Sequence, residues 1–170
     1  MLPSPLHPAL VHFPIALMVL LPLVALVGLM AIQRGYPARR SWMVVVAFQG
    51  LLVLSAVVAL KTGEKEEDRV EKVVAESLIG EHEEAAEAFL WAAALVLVVA
   101  LAGLLEGRAG SLGRIIAGAG TLVVLALGVQ LGSTGGELVY KHGAAQAYSS
   151  PAAAQAAGPG EAGEKEDDDD

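Results

Sequence analysis

The chain contains no cysteine. That removes disulfides, thiolate metal sites, iron–sulfur clusters, c-type haem attachment and a cysteine nucleophile, and it leaves the compartment open. Aromatic residues are scarce at 5%, and charged residues make up 18% of the chain, against about 25% in an ordinary soluble domain. Cations are the rarer sign: 11 Lys and Arg stand against 19 Asp and Glu, a net charge of −8. Such a chain repels phosphate, which excludes a nucleic-acid partner. Aliphatic residues fill the space instead, and 55% of the 170 residues are hydrophobic. They gather in four blocks, a distribution that excludes both a disordered protein and a typical soluble enzyme.

The blocks run from Ala9 to Ile32, Trp42 to Leu60, Ala85 to Leu105 and Ile115 to Leu131, and none carries Lys, Arg, Asp or Glu in its middle. Each is close to the roughly 20 residues that cross a bilayer. The first lacks a preceding basic stretch and a small-residue cleavage site, so it is expected to remain as a membrane helix and not to be cleaved as a signal peptide. The expected fold class is all-α: an integral membrane four-helix bundle built from two helical hairpins, occupying residues 1–143. Arg34, Arg39 and Arg40 lie in the first loop, and Arg108 and Arg114 in the third. Short basic loops stay in the cytoplasm, so a multi-pass protein of the cell (inner) membrane with both termini outside is expected. Val70, Val73, Val74 and Leu78 recur at helical spacing in the charged second loop and predict a short amphipathic helix across the outer mouth of the bundle. Residues 144–170 are rich in Ala, Gly and Pro and end in four aspartates, the composition of a disordered acidic tail.

Small residues mark expected helix contacts. Gly103 and Gly107 are four apart, as are Gly128 and Gly132, and Ala117, Gly118, Ala119 and Gly120 are consecutive. Helices in lipid associate by close packing at such positions, within one chain or between copies in a homo-oligomer. Gln49, Ser55 and Gln130 are the polar groups inside the spans, and each is expected to face another helix and hydrogen-bond there.

All four histidines fall at helix ends. His7 and His12 open the first helix, His82 precedes the third, and His142 follows the fourth. In the expected topology all four lie on the outer side. The chain also repeats itself: His12 and His82 introduce the two hairpins, and Thr62-Gly63-Glu64 and Thr134-Gly135-Gly136-Glu137 end them. Two such hairpins side by side bring both histidines and both Thr-Gly segments to one site, as internal repeats of membrane proteins do. Imidazole suits haem iron, copper and zinc alike. Two histidines would hold one b-type haem, with His12 and His82 as the central pair and His7 and His142 as a second pair or supporting ligands. Lys61, Thr62, Arg69, Thr134 and Lys141 are the expected partners of haem propionates. A bare copper or zinc ion would take three or four of the histidines. The bland alternative is that the histidines cap helices and bind nothing.

The stretch His7-Pro8-Ala9-Leu10-Val11-His12-Phe13-Pro14-Ile15-Ala16-Leu17 closely resembles the opening signature of a family of predicted bacterial membrane proteins, the domain of unknown function numbered 2231. Thr62-Gly63, His82 and the run from Thr134 to Gly143 are similar to its other signatures, so the resemblance spans about residues 5–143. The charged loop after Gly63 departs from the family pattern. Relatives are joined in places to Rieske-type or cytochrome c-type domains, which implies electron transfer at the outer membrane face. Three functions are therefore expected to compete: a small redox subunit with b-type haem and a redox partner protein, a copper- or zinc-binding membrane protein, and a cofactor-free structural or assembly subunit. A hydrolytic enzyme ranks below these, because Ser41 and Ser55 have no base on their side of the membrane.

Overall fold

The structure is a computed structural model, and residues 7–148 of it are described here. A short helix α1 (His7–Leu10) leads through Val11 into α2 (His12–Gln33); α3 spans Ala38–Val70, α4 Glu76–Ala102 and α5 Gly107–Tyr140. A 3-10 turn, Ala144–Tyr148, follows. The break at Val11 has a local cause. Pro14 has no N–H to give the Leu10 carbonyl, so the helix loosens there, while Val11 and Ile15 still donate to the carbonyls of His7 and Val11. Counting α1 and α2 together, four helical segments among the described residues are long and apolar enough to cross a membrane.

Adjacent helices are antiparallel and close into a ring in which α2 pairs with α3 and α4 with α5 as hairpins, and α3–α4 and α5–α2 form the seams between them. The interior is small and well filled: Leu21, Trp42, Val45, Leu52 and Val124 are all but inaccessible. The outer surface is the reverse of a soluble protein's. Leu23, Leu54, Leu95, Val98 and Leu122 are each more than half exposed, an apolar girdle that only lipid tolerates. This is a multi-pass membrane protein.

The halves repeat at the level of packing. Positions 42, 45, 49, 52 and 56 of α3 are buried, and so are positions 114, 117, 121, 124 and 128 of α5, each 72 residues later. On α2, Pro14, Met18, Ala25 and Gly28 are buried; 75 residues later, Phe89, Ala93 and Ala100 on α4 and Gly103 at its C-cap are buried. Polar side chains tie the hairpins together across this pattern. The Trp42 indole donates to the Ala100 carbonyl at 2.9 Å, and the Gln49 amide to the Ala93 carbonyl at 2.8 Å. The Gln49 Oε1 atom is buried with no partner among the described residues. Arg114, the counterpart of Trp42, is buried and donates to the carbonyls of Gly103 (2.8 Å) and Leu105 (3.2 Å). It therefore closes the C-terminus of α4, where a cation also meets the negative end of the helix dipole.

Several expectations change. No separate amphipathic helix lies across the loop. Val70 completes α3, residues 71–75 turn, and Leu78 already belongs to α4, so two long helices project beyond the apolar zone and meet in one tight corner. Residues 144–148 are folded, with Ala144 buried against Val74 and Ile79; residues 149–170 of the expected tail lie outside the described residues. Gln130 is exposed on α5, and Ser55 turns back to the Leu52 carbonyl of its own helix; of the three polar groups only Gln49 bonds across helices.

Among the glycines, Gly103 and Gly128 make the expected close contacts, but Gly107 and Gly132 do not. A Cβ on Gly103 would strike the Trp42 indole, and one on Gly128 would strike the Met18 sulfur and lie 3.0 Å from the Phe89 ring. Gly107 supplies a positive φ of 68° at the start of α5, and Gly132 faces open space. Gly128→Ile is therefore expected to lower stability by about 1–3 kcal/mol, the usual penalty of overpacking. Gly132→Ala is expected to be neutral or stabilising by up to about 1 kcal/mol through helix propensity. Thermal unfolding in detergent reads both, and equal melting of the two variants would contradict the packing described.

Candidate functional site

The histidines separate into two that the fold holds and two that it leaves outside. His7 opens α1 and lies against α3: its Nδ1 is 2.9 Å from the Ala59 carbonyl and 3.4 Å from Thr62 Oγ1. His82 lies on α4 against α5, with Nδ1 2.9 Å from Thr134 Oγ1. His7 starts the first span beside the C-terminal part of α3, and His82 lies near the start of α4 beside the C-terminal part of α5, so the two rings belong to the same end of the bundle. His12 is exposed on the surface of α2, and His142 is exposed just beyond α5. The two histidines that the fold holds are thus His7 and His82, and His12, five residues further on, is exposed on α2.

The Thr-Gly segments are not helix ends. Thr62-Gly63 lies inside α3 and Thr134-Gly135 inside α5. Glycine inside a helix costs about 1 kcal/mol relative to alanine, and here it has a steric reason. A Cβ on Gly63 would come within 3.3 Å of His7 Cε1, and one on Gly135 within 3.0 Å of His82 Cε1. Each imidazole occupies the place of a missing side chain on the neighbouring helix.

The bonding partners point to where the protons of the neutral rings sit. The Ala59 carbonyl can only accept, so His7 Nδ1 donates to it. Thr134 Oγ1 already gives its own hydrogen to the Leu131 carbonyl at 2.9 Å, so towards His82 it accepts, and His82 Nδ1 carries the proton. Thr62 likewise donates to Ala59 at 2.9 Å, so that carbonyl receives both Thr62 and His7. In the neutral imidazole one nitrogen carries hydrogen and the other a lone pair. Both Nε2 atoms therefore bear the lone pair, and among the described residues neither has a hydrogen-bond partner. Metal-binding histidines show this arrangement, with the distal nitrogen ligating and the proximal N–H held by a carbonyl or hydroxyl.

The other expected partners are committed elsewhere. Arg69 pairs with Glu66 at 3.5 Å and lies 5.4 Å from the centre of the Tyr148 ring, pinning the C-terminal turn to α3. Lys141 pairs with Glu137 at 2.8 Å on the exposed end of α5. Thr134 bonds His82, whereas Thr62 gives its hydrogen to the Ala59 carbonyl of its own helix. Lys61 is exposed next to Thr62. Among the described residues no group of three or more histidine or carboxylate side chains is gathered as a metal site. Arg114 and Ala59 were missed by sequence reasoning: Arg114 looks like an ordinary loop cation, and Ala59 acts only through its backbone.

The geometry defines a class: a two-hairpin, four-helix membrane protein with one anchored imidazole from each hairpin at a common end. The family described as Predicted membrane protein (DUF2231) matches residues 3–147, and the chain belongs to it. No curated protein matches the chain, and no solved structure does.

The Tyr148 contact has a pH signature. Burial, together with the neighbouring Glu66 carboxylate, pushes the Tyr148 phenol above its ordinary range, partly offset by Arg69. The folded protein therefore holds this proton more tightly than the unfolded chain. The contribution of the docked turn is complete below the ordinary phenol value of about 10 and is lost as pH rises through the higher folded value. An absorbance titration of wild type against Tyr148→Phe should isolate one phenol that ionises late. A Tyr148 midpoint at or below about 10 would contradict the docking described.

Proposed function

We propose that this membrane protein is a small electron-transfer subunit that binds b-type haem through His7 and His82. The observation that carries the reading is the pair of anchored imidazoles, each with its Nδ1 proton held and its Nε2 lone pair unused. The donor count favours haem over a bare ion. Haem iron asks the protein for two axial ligands at most, whereas structural zinc takes four side chains, and no third donor is gathered here among the described residues. When bound, haem supplies a one-electron couple. His7 and His82 would hold it through Nε2, with the Ala59 carbonyl and the Thr134 hydroxyl fixing their tautomers and α3 and α5 backing the rings. Lys61, next to Thr62 and exposed, is the basic group best placed by sequence for a propionate. Electrons would pass to or from a redox partner protein at this face.

The test is the absorption spectrum of detergent-purified protein supplied with haem, oxidised and reduced, with elemental analysis on the same sample. The expected result is a bis-histidine haem spectrum that His7→Ala or His82→Ala abolishes and that His12→Ala or His142→Ala leaves intact. Stoichiometric copper or zinc without haem would instead support the metal-ion reading. Protein with neither would leave the two histidines as interhelical clamps of a structural subunit.

We further propose that the protein lies in the cell membrane with the histidine end outside. Arg34, Arg39, Arg40 and Arg108 flank the two short turns at the opposite end, and short Arg-bearing turns are retained in the cytoplasm. Arg114 adds nothing to this argument, since it is spent on the Gly103 and Leu105 carbonyls just past α4. The absence of native cysteine makes the test direct. In intact cells an impermeant thiol reagent should label Glu76→Cys and not Tyr36→Cys; the reverse pattern would place the site in the cytoplasm.

A further inference from the structure

We infer that Thr134 is the positioning residue for His82, and that the two halves of the site hold their imidazoles unequally. His82 Nδ1 has one partner, the Thr134 hydroxyl at 2.9 Å. That hydroxyl is an obligate acceptor only because its hydrogen is given to the Leu131 carbonyl. Remove the hydroxyl and nothing on α5 tells His82 which nitrogen to protonate. His7 is different. Its Nδ1 faces a backbone carbonyl, Ala59, at 2.9 Å, and the Thr62 hydroxyl is the more distant contact at 3.4 Å. No side-chain substitution removes a carbonyl, so His7 keeps its tautomer without Thr62. The repeat has thus preserved the Thr-Gly pattern in both halves while moving the work from backbone to side chain in the second.

This predicts an asymmetry that neither bulk nor helix packing produces. The tautomer itself does not depend on haem; only its effect on affinity rests on the haem reading above. The experiment uses the full chain in detergent. Nitrogen-15 NMR of labelled histidines without haem reads the tautomers, and a haem titration reads affinity. In wild type, His7 and His82 should both carry the proton on Nδ1. Thr134→Val should let the proton move to Nε2 of His82 and weaken haem binding by about 10–100-fold, the usual cost of losing an outer hydrogen bond to a ligating histidine. Thr134→Ser should restore both. Thr62→Val should leave the His7 tautomer and the affinity as in wild type. Thr134→Ala removes the same hydroxyl with less bulk and replaces the valine variant if that one misfolds.

An unchanged His82 tautomer in Thr134→Val and Thr134→Ala would overturn the assignment, as would Thr62→Val acting as strongly as Thr134→Val. Tautomers that follow the expected pattern in a protein that binds no haem would uphold the role of Thr134 and remove the electron-transfer reading.

Discussion

Close approach of helix backbones is the constraint on which the rest of the structure depends. In lipid there is no hydrophobic drive to bring helices together, and contact area must come from shape. On α5, glycines at 113, 120, 128 and 135 meet in turn the backbone of Gly103, the Val96 side chain, Met18 with Phe89, and His82. Four successive contacts along one stripe fix the register of α5 against its neighbours within a single turn. A slip of one turn would drive side chains into backbone at several points at once. The register that lets Gly113 pass Gly103 at one end also puts Thr134 and Gly135 under His82 at the other. The site is therefore a consequence of packing some 20 residues away.

The stripes have a period of seven. His7, Pro14, Leu21 and Gly28 share one face of the first helix, and His82, Phe89, Val96 and Gly103 share the matching face of α4. Trp42, Gln49, Ala56 and Gly63 do the same on α3, and Arg114, Thr121, Gly128 and Gly135 on α5. A sustained seven-residue repeat is the mark of helices that wrap with knobs in holes. Both histidines are the last members of packing stripes. Partial burial, hydrogen-bond anchoring and shared position at one end then come together without any special loop.

Much of this was legible in the residues. Four uncharged blocks gave four spans, and the hairpin pairing followed from turns too short for any other neighbour. The two Thr-Gly segments were visible as a repeat. His12 stands at the edge of the apolar block and so looks like the counterpart of His82; helical phase, counted back by sevens from Gly28 through Leu21 and Pro14, instead reaches His7, the histidine held against α3. The amphipathic helix was misplaced for a related reason: its periodicity is real, yet it belongs to the projecting ends of α3 and α4, where one face still packs on Ala144 and Leu138. Arg114 shows the limit of charge reading. A loop arginine and a buried helix-capping arginine have the same letter, and only the three-dimensional partner, the end of α4, tells them apart.

The duplication also bears on energetics. Each half-site is complete within its own hairpin: His7 is held by α3, and His82 by α5. Neither histidine bonds to the other hairpin among the described residues. The two hairpins are joined by Trp42 and Gln49 on one seam and by glycine contacts on the other, with Gln49 Oε1 left without a partner among the described residues. A ligand that takes one nitrogen from each hairpin would therefore add the missing bond between them at this end. Its binding free energy would appear directly as stability of the assembled bundle, rising with ligand concentration as any ligand specific for the folded state requires. A ligand that used one histidine alone would stabilise only its own hairpin. Coupling between occupancy and association of the hairpins thus separates a bridging centre from two independent weak sites, without reference to colour or redox chemistry.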